Sequence, residues 1–162
     1  MSPIADKLDL IDYKILKLLQ EDGRMTNLEL SSQIGLSPAP TLERVKKLEK
    51  SKVIESYHAR LNRIRLKLGV SVFIQVSLSR QVENVINKFK ERIENIPEIM
   101  ECYQVTGNAD YLLKVLVADI PAFEKLIAST FSKMEEIGNL QTMLIISDVK
   151  QSKVLPLKYD RG

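Results

Sequence analysis

Helical spacing governs the first fifty residues. Ile11, Ile15, Leu18 and Leu19 recur three and four positions apart, the mark of one buried helix face. Asp9 and Asp12 stand at its start, where the helix dipole favours acids, and Gly23 supplies the stop. Thr26-Asn27-Leu28-Glu29 has the form of a capping box, and Leu30 and Ile34 give a second helix its inward positions. Gly35 then permits a left-handed turn, Ser37 is a good N-cap, and Pro38 and Pro40 fall where amides lack intrahelical partners. The third helix is predicted to run to about Lys50, with Leu42, Val45 and Leu48 inward. Pro40, Glu43, Lys47 and Lys50 fall roughly opposite, with Arg44 and Lys46 on the flanks. Two helices joined by a short Gly-containing turn, the second apolar inward and basic outward, have the form of a helix-turn-helix. The competing reading is a plain three-helix bundle with a charged surface and Glu43–Lys47 as an ordinary i,i+4 pair.

The pattern changes after residue 69. Residues 53–61 read as extended and 62–68 as a basic link, with Gly69 at the boundary. Val72, Ile74, Val76 and Leu78 then alternate as in a strand, and Val82, Val85, Ile86, Phe89 and Ile93 return to helical spacing. Residues 99–106 are extended, 107–110 a turn, and 111–117 a strand. Asp119 caps a helix opening at Pro121, with Phe123, Leu126, Ile127, Phe131 and Met134 on its apolar face. Gly138-Asn139 is expected to end that helix, and 140–147 to form the last strand. The order β-α-β-β-α-β predicts a ferredoxin-like α+β domain, two helices on one face of a four-stranded antiparallel sheet. The strands carry apolar side chains on both faces: Leu113, Val115 and Val117 on one, Leu112 and Leu116 on the other. The uncovered face is therefore expected to bury itself against a second subunit. The expected domains are 1–61 (three-helix, winged-helix-like helix-turn-helix), a linker 62–69, and 70–162.

Charge sharpens this picture. Residues 1–67 hold thirteen Lys and Arg against nine Asp and Glu, whereas the rest of the chain is nearly balanced. Residues 44–67 alone hold nine cations against Glu49 and Glu55, a local excess suited to a polyanion such as DNA. On the third helix, Ser37, Thr41, Arg44, Lys46, Lys47 and Lys50 are the candidate DNA contacts. Ser37 would bond a phosphate, and Arg44 or Lys47 would reach guanine edges or phosphate. Glu43 could accept from cytosine, though pairing with Lys47 is the preferred reading.

Composition argues against other classes. With 44% apolar and 28% charged residues, the chain reads as a soluble globular protein, without a membrane span or signal peptide, and cytoplasm is the default compartment. One histidine, His58, and one cysteine, Cys102, leave no metal cluster, paired cysteine or nucleophile with an evident base, and no glycine-rich phosphate loop is present. An enzyme and a cofactor are disfavoured. Cys102 reads as a buried packing residue and His58 as structural.

The chain resembles the Lrp/AsnC, or feast/famine, family of transcription regulators. The matching stretches include Leu8-Asp9, Leu19-Gln20-Glu21-Asp22-Gly23-Arg24, Gly35-Leu36-Ser37-Pro38, Arg44-Val45, Tyr57-His58-Ala59, Thr106-Gly107, Asp110-Tyr111-Leu112-Leu113-Lys114 and Asp148-Val149-Lys150. Residues 37–45 look closest to the leucine-responsive branch. The resemblance implies homodimers paired through C-terminal sheets and often assembled into octamers, bound to double-stranded DNA. It also implies an amino acid held between dimers at Gly107, Asn108 and Asp110, with Ile120, Thr142, Met143 and Leu144 nearby. A glycine turn would expose amides to a carboxylate, and Asp110 could pair an α-ammonium; otherwise Asp110 bonds its own turn backbone. Three departures stand out. Asn108-Ala109 replaces an acid and a frequent aromatic, Lys52 stands near a usual glycine, and Ser56 replaces another. The first keeps open an effector-independent, architectural DNA-binding protein.

Overall fold

In the computed structural model, which describes residues 8–152 and 154–159, the chain divides into two units. One runs up to Arg60 and takes in the chain from Lys150 onward; the other is Leu61–Val149.

The first unit holds α1 (Leu10–Glu21), α2 (Asn27–Ile34) and α3 (Pro38–Lys50). Reciprocal bonds close the start of α1: the Asp9 carboxylate accepts from the Asp12 amide at 2.9 Å, and Asp12 accepts from the Asp9 amide at 3.1 Å. Thr26 and Glu29 close α2 in the same way. Gly35 ends α2 in the left-handed conformation, φ 75° and ψ 33°, which turns the chain into α3. Ile15, Leu16, Leu30, Ile34 and Leu48 form the core, with Val45, Ile54 and Leu157 packed against it. Leu42, expected inward, is instead 42% exposed. Its place is taken by Thr41, one position round the helix and fully buried. Ser37 has N-cap backbone geometry but makes no side-chain cap bond. Lys52, just past α3, is left-handed with φ 59°, the conformation that glycine adopts without strain. No strand forms between α3 and residue 70, so the extended segment is not a paired wing.

The chain's last described residues belong here, not to a 70–162 domain. Leu157 adds an apolar side chain to the small three-helix core. The Leu155 amide donates to Gln20 Oε1 at 2.6 Å, and the Tyr159 ring meets Tyr13 edge-on at 5.3 Å.

The second unit contains β1 (Val70–Leu78), α4 (Glu83–Glu94), β2 (Ile99–Gln104), β3 (Tyr111–Val117), α5 (Ile120–Ser129), a 3-10 turn (Phe131–Lys133) and β4 (Ile137–Leu144). All pairings are antiparallel in the order β2-β3-β1-β4, the ferredoxin-like arrangement. Alternation puts Val72, Ile74 and Val76 opposite Val115, Leu113 and Tyr111, and these pack with Phe89, Ile93, Leu126 and Phe131. The other sheet face carries Phe73, Leu112, Leu116 and Met143. Gln75 opposite Gln141 and the Lys114–Glu101 pair at 3.2 Å cross it, so it is more polar than expected.

Several boundaries shift. Asp119 caps α5 through the Ala122 amide at 2.8 Å, but the helix stops at Ser129; Phe131 and Met134 reach the core through the 3-10 turn. Gly138 and Asn139 lie inside β4, where a Cβ on Gly138 would come within 3.1 Å of Ser79. Residues 62–69 are not a free linker. Asn62 caps a turn through the Ile64 and Arg65 amides, and Arg63 donates to the Leu68 and Gly69 carbonyls while pairing with Asp148 at 3.0 Å.

Candidate nucleic-acid interface and ligand site

Helix α3 buries one flank and presents the other. Thr41 has no exposed surface, and its hydroxyl donates to the Ser37 carbonyl at 2.9 Å, which removes it from the DNA contacts. Arg44 is also withdrawn: its Nη1 donates to Asp9 at 2.7 Å and to Asp12 at 2.8 Å. Those partners raise the guanidinium pKa further, so it stays charged at any working pH. Burial pushes the Asp9 carboxyl up, but the Asp12 amide and Arg44 outweigh it and hold it below its usual value. The result is a strut from the start of α1 to the middle of α3. Both bonds leave from Nη1, so the guanidinium is anchored to α1 through one nitrogen while its side chain stays about 32% exposed.

The exposed set is Ser37, Lys46, Lys47 and Lys50, with Ala39, Leu42 and Glu43. Glu43 pairs with Lys46 at 3.2 Å, one turn position short of the expected Lys47. Of the other cations in the basic stretch, Arg63 is taken by the second unit's own turn, whereas Lys52, Arg60, Arg65 and Lys67 are exposed. Tyr57 donates to Glu49 at 3.1 Å; burial and then that carboxylate push its pKa up to about 12. The exposed His58 ring shares a 2.7 Å contact with Ser56.

The residues expected around an effector do not meet within one chain. Gly107, with φ 118°, Asn108 and Asp110 sit in the β2–β3 turn beside the Leu78 end of β1. Ile120 follows the far end of β3, about 20 Å along the strand from Tyr111 at ordinary rise. Thr142 and Leu144 pair with Ile74 and Val72 on the side facing the helices, and Met143 pairs with Phe73 on the other. The Asp110 carboxylate bonds outside its own turn, whose backbone is closed by the Val105 amide donating to the Asp110 carbonyl at 3.0 Å. One oxygen accepts from the Leu78 amide at 2.7 Å and the other from Gln81 Nε2 at 2.8 Å. Ser77 adds a hydroxyl to the Asn108 carbonyl at 3.3 Å.

Sequence reasoning missed the Asp9–Asp12–Arg44 strut and the Gln81–Asp110 bond. Two acids where one cap suffices hinted at the first. Gln81 carried no signal, because its partner depends on strand register. Cys102, expected buried, is exposed on the edge strand β2. No helix among the described residues is long and apolar enough to cross a membrane.

Comparison with known proteins gives two successive matches, the second of which runs past Lys150. Residues 8–55 match a winged helix-turn-helix DNA-binding domain, and residues 71–155 match the Lrp/AsnC ligand binding domain. The chain is 41% identical over 151 residues to the leucine-responsive regulatory protein of Klebsiella pneumoniae, covering 93% of this chain and 92% of that protein. Its structure superposes on the Neisseria meningitidis transcriptional regulator–L-Met complex with a TM-score of 0.89 at 36% identity, covering 92% and 96% of the two chains. An AsnC family transcriptional regulator from Agrobacterium tumefaciens gives 0.87 at 31% identity, covering 92% and 97%. With DNA-binding helices and ligand-binding sheet matched in order along nearly its whole length, the chain belongs to the Lrp/AsnC family of transcription regulators.

Proposed function

We propose that this regulator grips double-stranded DNA through Ser37, Lys46, Lys47 and Lys50 of α3, works in the cytoplasm where that DNA lies, and responds to an amino acid as an assembly of homodimers. The carrying observation is the split on α3: Thr41 is buried, Arg44 is tied to α1, and the exposed lysines run along the outward side. Lysines there supply phosphate contacts that set affinity and salt dependence. A Lys46→Ala, Lys50→Ala variant is expected to bind duplex more weakly, with a salt slope shallower by about two. An unchanged slope would remove these residues from the interface.

The amino-acid reading is supported by the match to a ligand-binding domain and by the Neisseria relative, which is a complex with L-Met. Since Gly107–Asp110, Ile120 and 142–144 are spread over the sheet, one pocket must draw them from different subunits. Melting the protein against each of the twenty amino acids tests this. A ligand at about 100 times its Kd adds roughly 2.7 kcal/mol and shifts the melt clearly. One specific observation favours the architectural reading instead: both Asp110 oxygens are engaged within the chain, so an α-ammonium must share or displace them. A flat panel together with equal affinity for selected and random duplex would decide for that second reading.

A further inference from the structure

The outward side of α3 is not uniformly basic. At 100° per residue, Leu42, Lys46, Ala39, Lys50 and Glu43 span a sector of about 100° on the side away from Thr41 and Leu48, with Leu42 at its edge, about 60° from Val45. All five are exposed, and Leu42, 42% exposed, lies outside the apolar core cluster. The Arg44 strut locks that rotation, because turning the helix to bury Leu42 would break the 2.7 Å and 2.8 Å bonds to α1. An apolar side chain thus stands on the groove-facing stripe, with Lys46 and Lys50 along the same stripe to draw in a phosphate backbone. The major groove offers an apolar side chain one matching feature, the 5-methyl group of thymine.

We infer that Leu42, with Ala39 beside it, reads thymine in the major groove by packing on its 5-methyl group. This rests on α3 being the recognition helix, and it adds a base preference that lysine–phosphate contacts do not supply.

The test starts from the tightest duplex that wild-type protein enriches from a randomised pool. Each thymine in it is replaced singly by deoxyuridine, which removes the methyl group and nothing else. At one or two thymines per half-site, wild-type affinity is expected to fall about four-fold, the worth of one buried methyl-sized group. Leu42→Ala is expected to bind the thymine and deoxyuridine duplexes equally at those positions. Leu42 is exposed, so the variant should melt like wild type, and Leu42→Gln, with good helix propensity, serves as a second variant. Insensitivity to deoxyuridine everywhere, or a thymine preference unchanged in Leu42→Ala, overturns the inference. The Lys46→Ala, Lys50→Ala variant separates the two failures. If it binds as tightly as wild type, α3 is not on the DNA; if it weakens while deoxyuridine is neutral, only the thymine reading falls.

Discussion

Arg44 shows how one side chain of a DNA-binding helix can be tied to the helix behind it. Its two carboxylate partners sit on α1, so its loss loosens the seating of α3 and leaves two acids without their cation. The contrast with a phosphate contact is one of sign. Removing two negative charges by Asp9→Asn and Asp12→Asn should tighten DNA binding if electrostatics alone acted, yet the strut predicts weaker binding. Arg44→Gln is expected to weaken binding with no change in salt slope, and a slope shallower by about one would make it a phosphate contact after all. The same pair gives a pH signature. Asp9 titrates below its ordinary 3.8 in the folded protein, so its stabilisation is complete above that value and is lost as pH falls through the lower one. Stability of Asp9→Asn should accordingly fall less steeply than wild type below pH of about 4. Lys52 makes the opposite point. It holds φ 59° with a Cβ that glycine lacks, and Lys52→Gly is expected to stabilise the first unit by about 1 kcal/mol in denaturant melts.

Three helices enclosing five buried apolar residues make a small core, and residues 154–159 enlarge it. Leu157 contributes packing, Leu155 finds an acceptor on Gln20, and Tyr159 stacks edge-on against Tyr13. A chain ending at Ser152 should therefore lose amide-exchange protection in α1 while β1 and β3 keep theirs. Equal protection in α1 would show that the tail adds nothing. In the second unit, β1 lies inside the sheet and β3 alternates strictly, so the helix-side core is expected to be the most protected part of the molecule. That contrast is what the exchange experiment reads.

For the assembly, the outer sheet face is the surface proposed to pair two copies. Phe73, Leu112, Leu116 and Met143 form its apolar part, and Gln75, Gln141 and the Lys114–Glu101 pair supply polar groups at fixed register. A two-fold pair placed through this face would present two α3 helices to half-sites about 34 Å apart or a multiple of that. Leu112→Glu with Leu116→Glu puts two acids into that surface and is expected to reduce the mass in light scattering to that of a smaller species. An unchanged mass would place the contact elsewhere. Any effector that changes DNA affinity must have its own affinity changed by DNA through the same factor.

Periodicity, caps and the order of elements were readable from residues alone, because each depends on neighbours a few positions away. The Asp9 and Thr26 caps, the left-handed Gly35 and the β-α-β-β-α-β order all follow from local chemistry, whereas Lys52 stood out only against the family pattern. Family membership was equally legible, since many short motifs keep their order and spacing. What the pattern could not settle was which way a marginal residue turns or which distant group it meets. Leu42 and Thr41 are adjacent on the helix, and only packing against α1 and α2 chose the hydroxyl, which finds the Ser37 carbonyl, for the inside. Arg44 found Asp9 and Asp12 more than thirty residues away, Asp110 found Leu78 and Gln81 through strand register, and Leu157 found the N-terminal core. Each is a long-range pairing, whose energy exists only once the backbone has closed the distance.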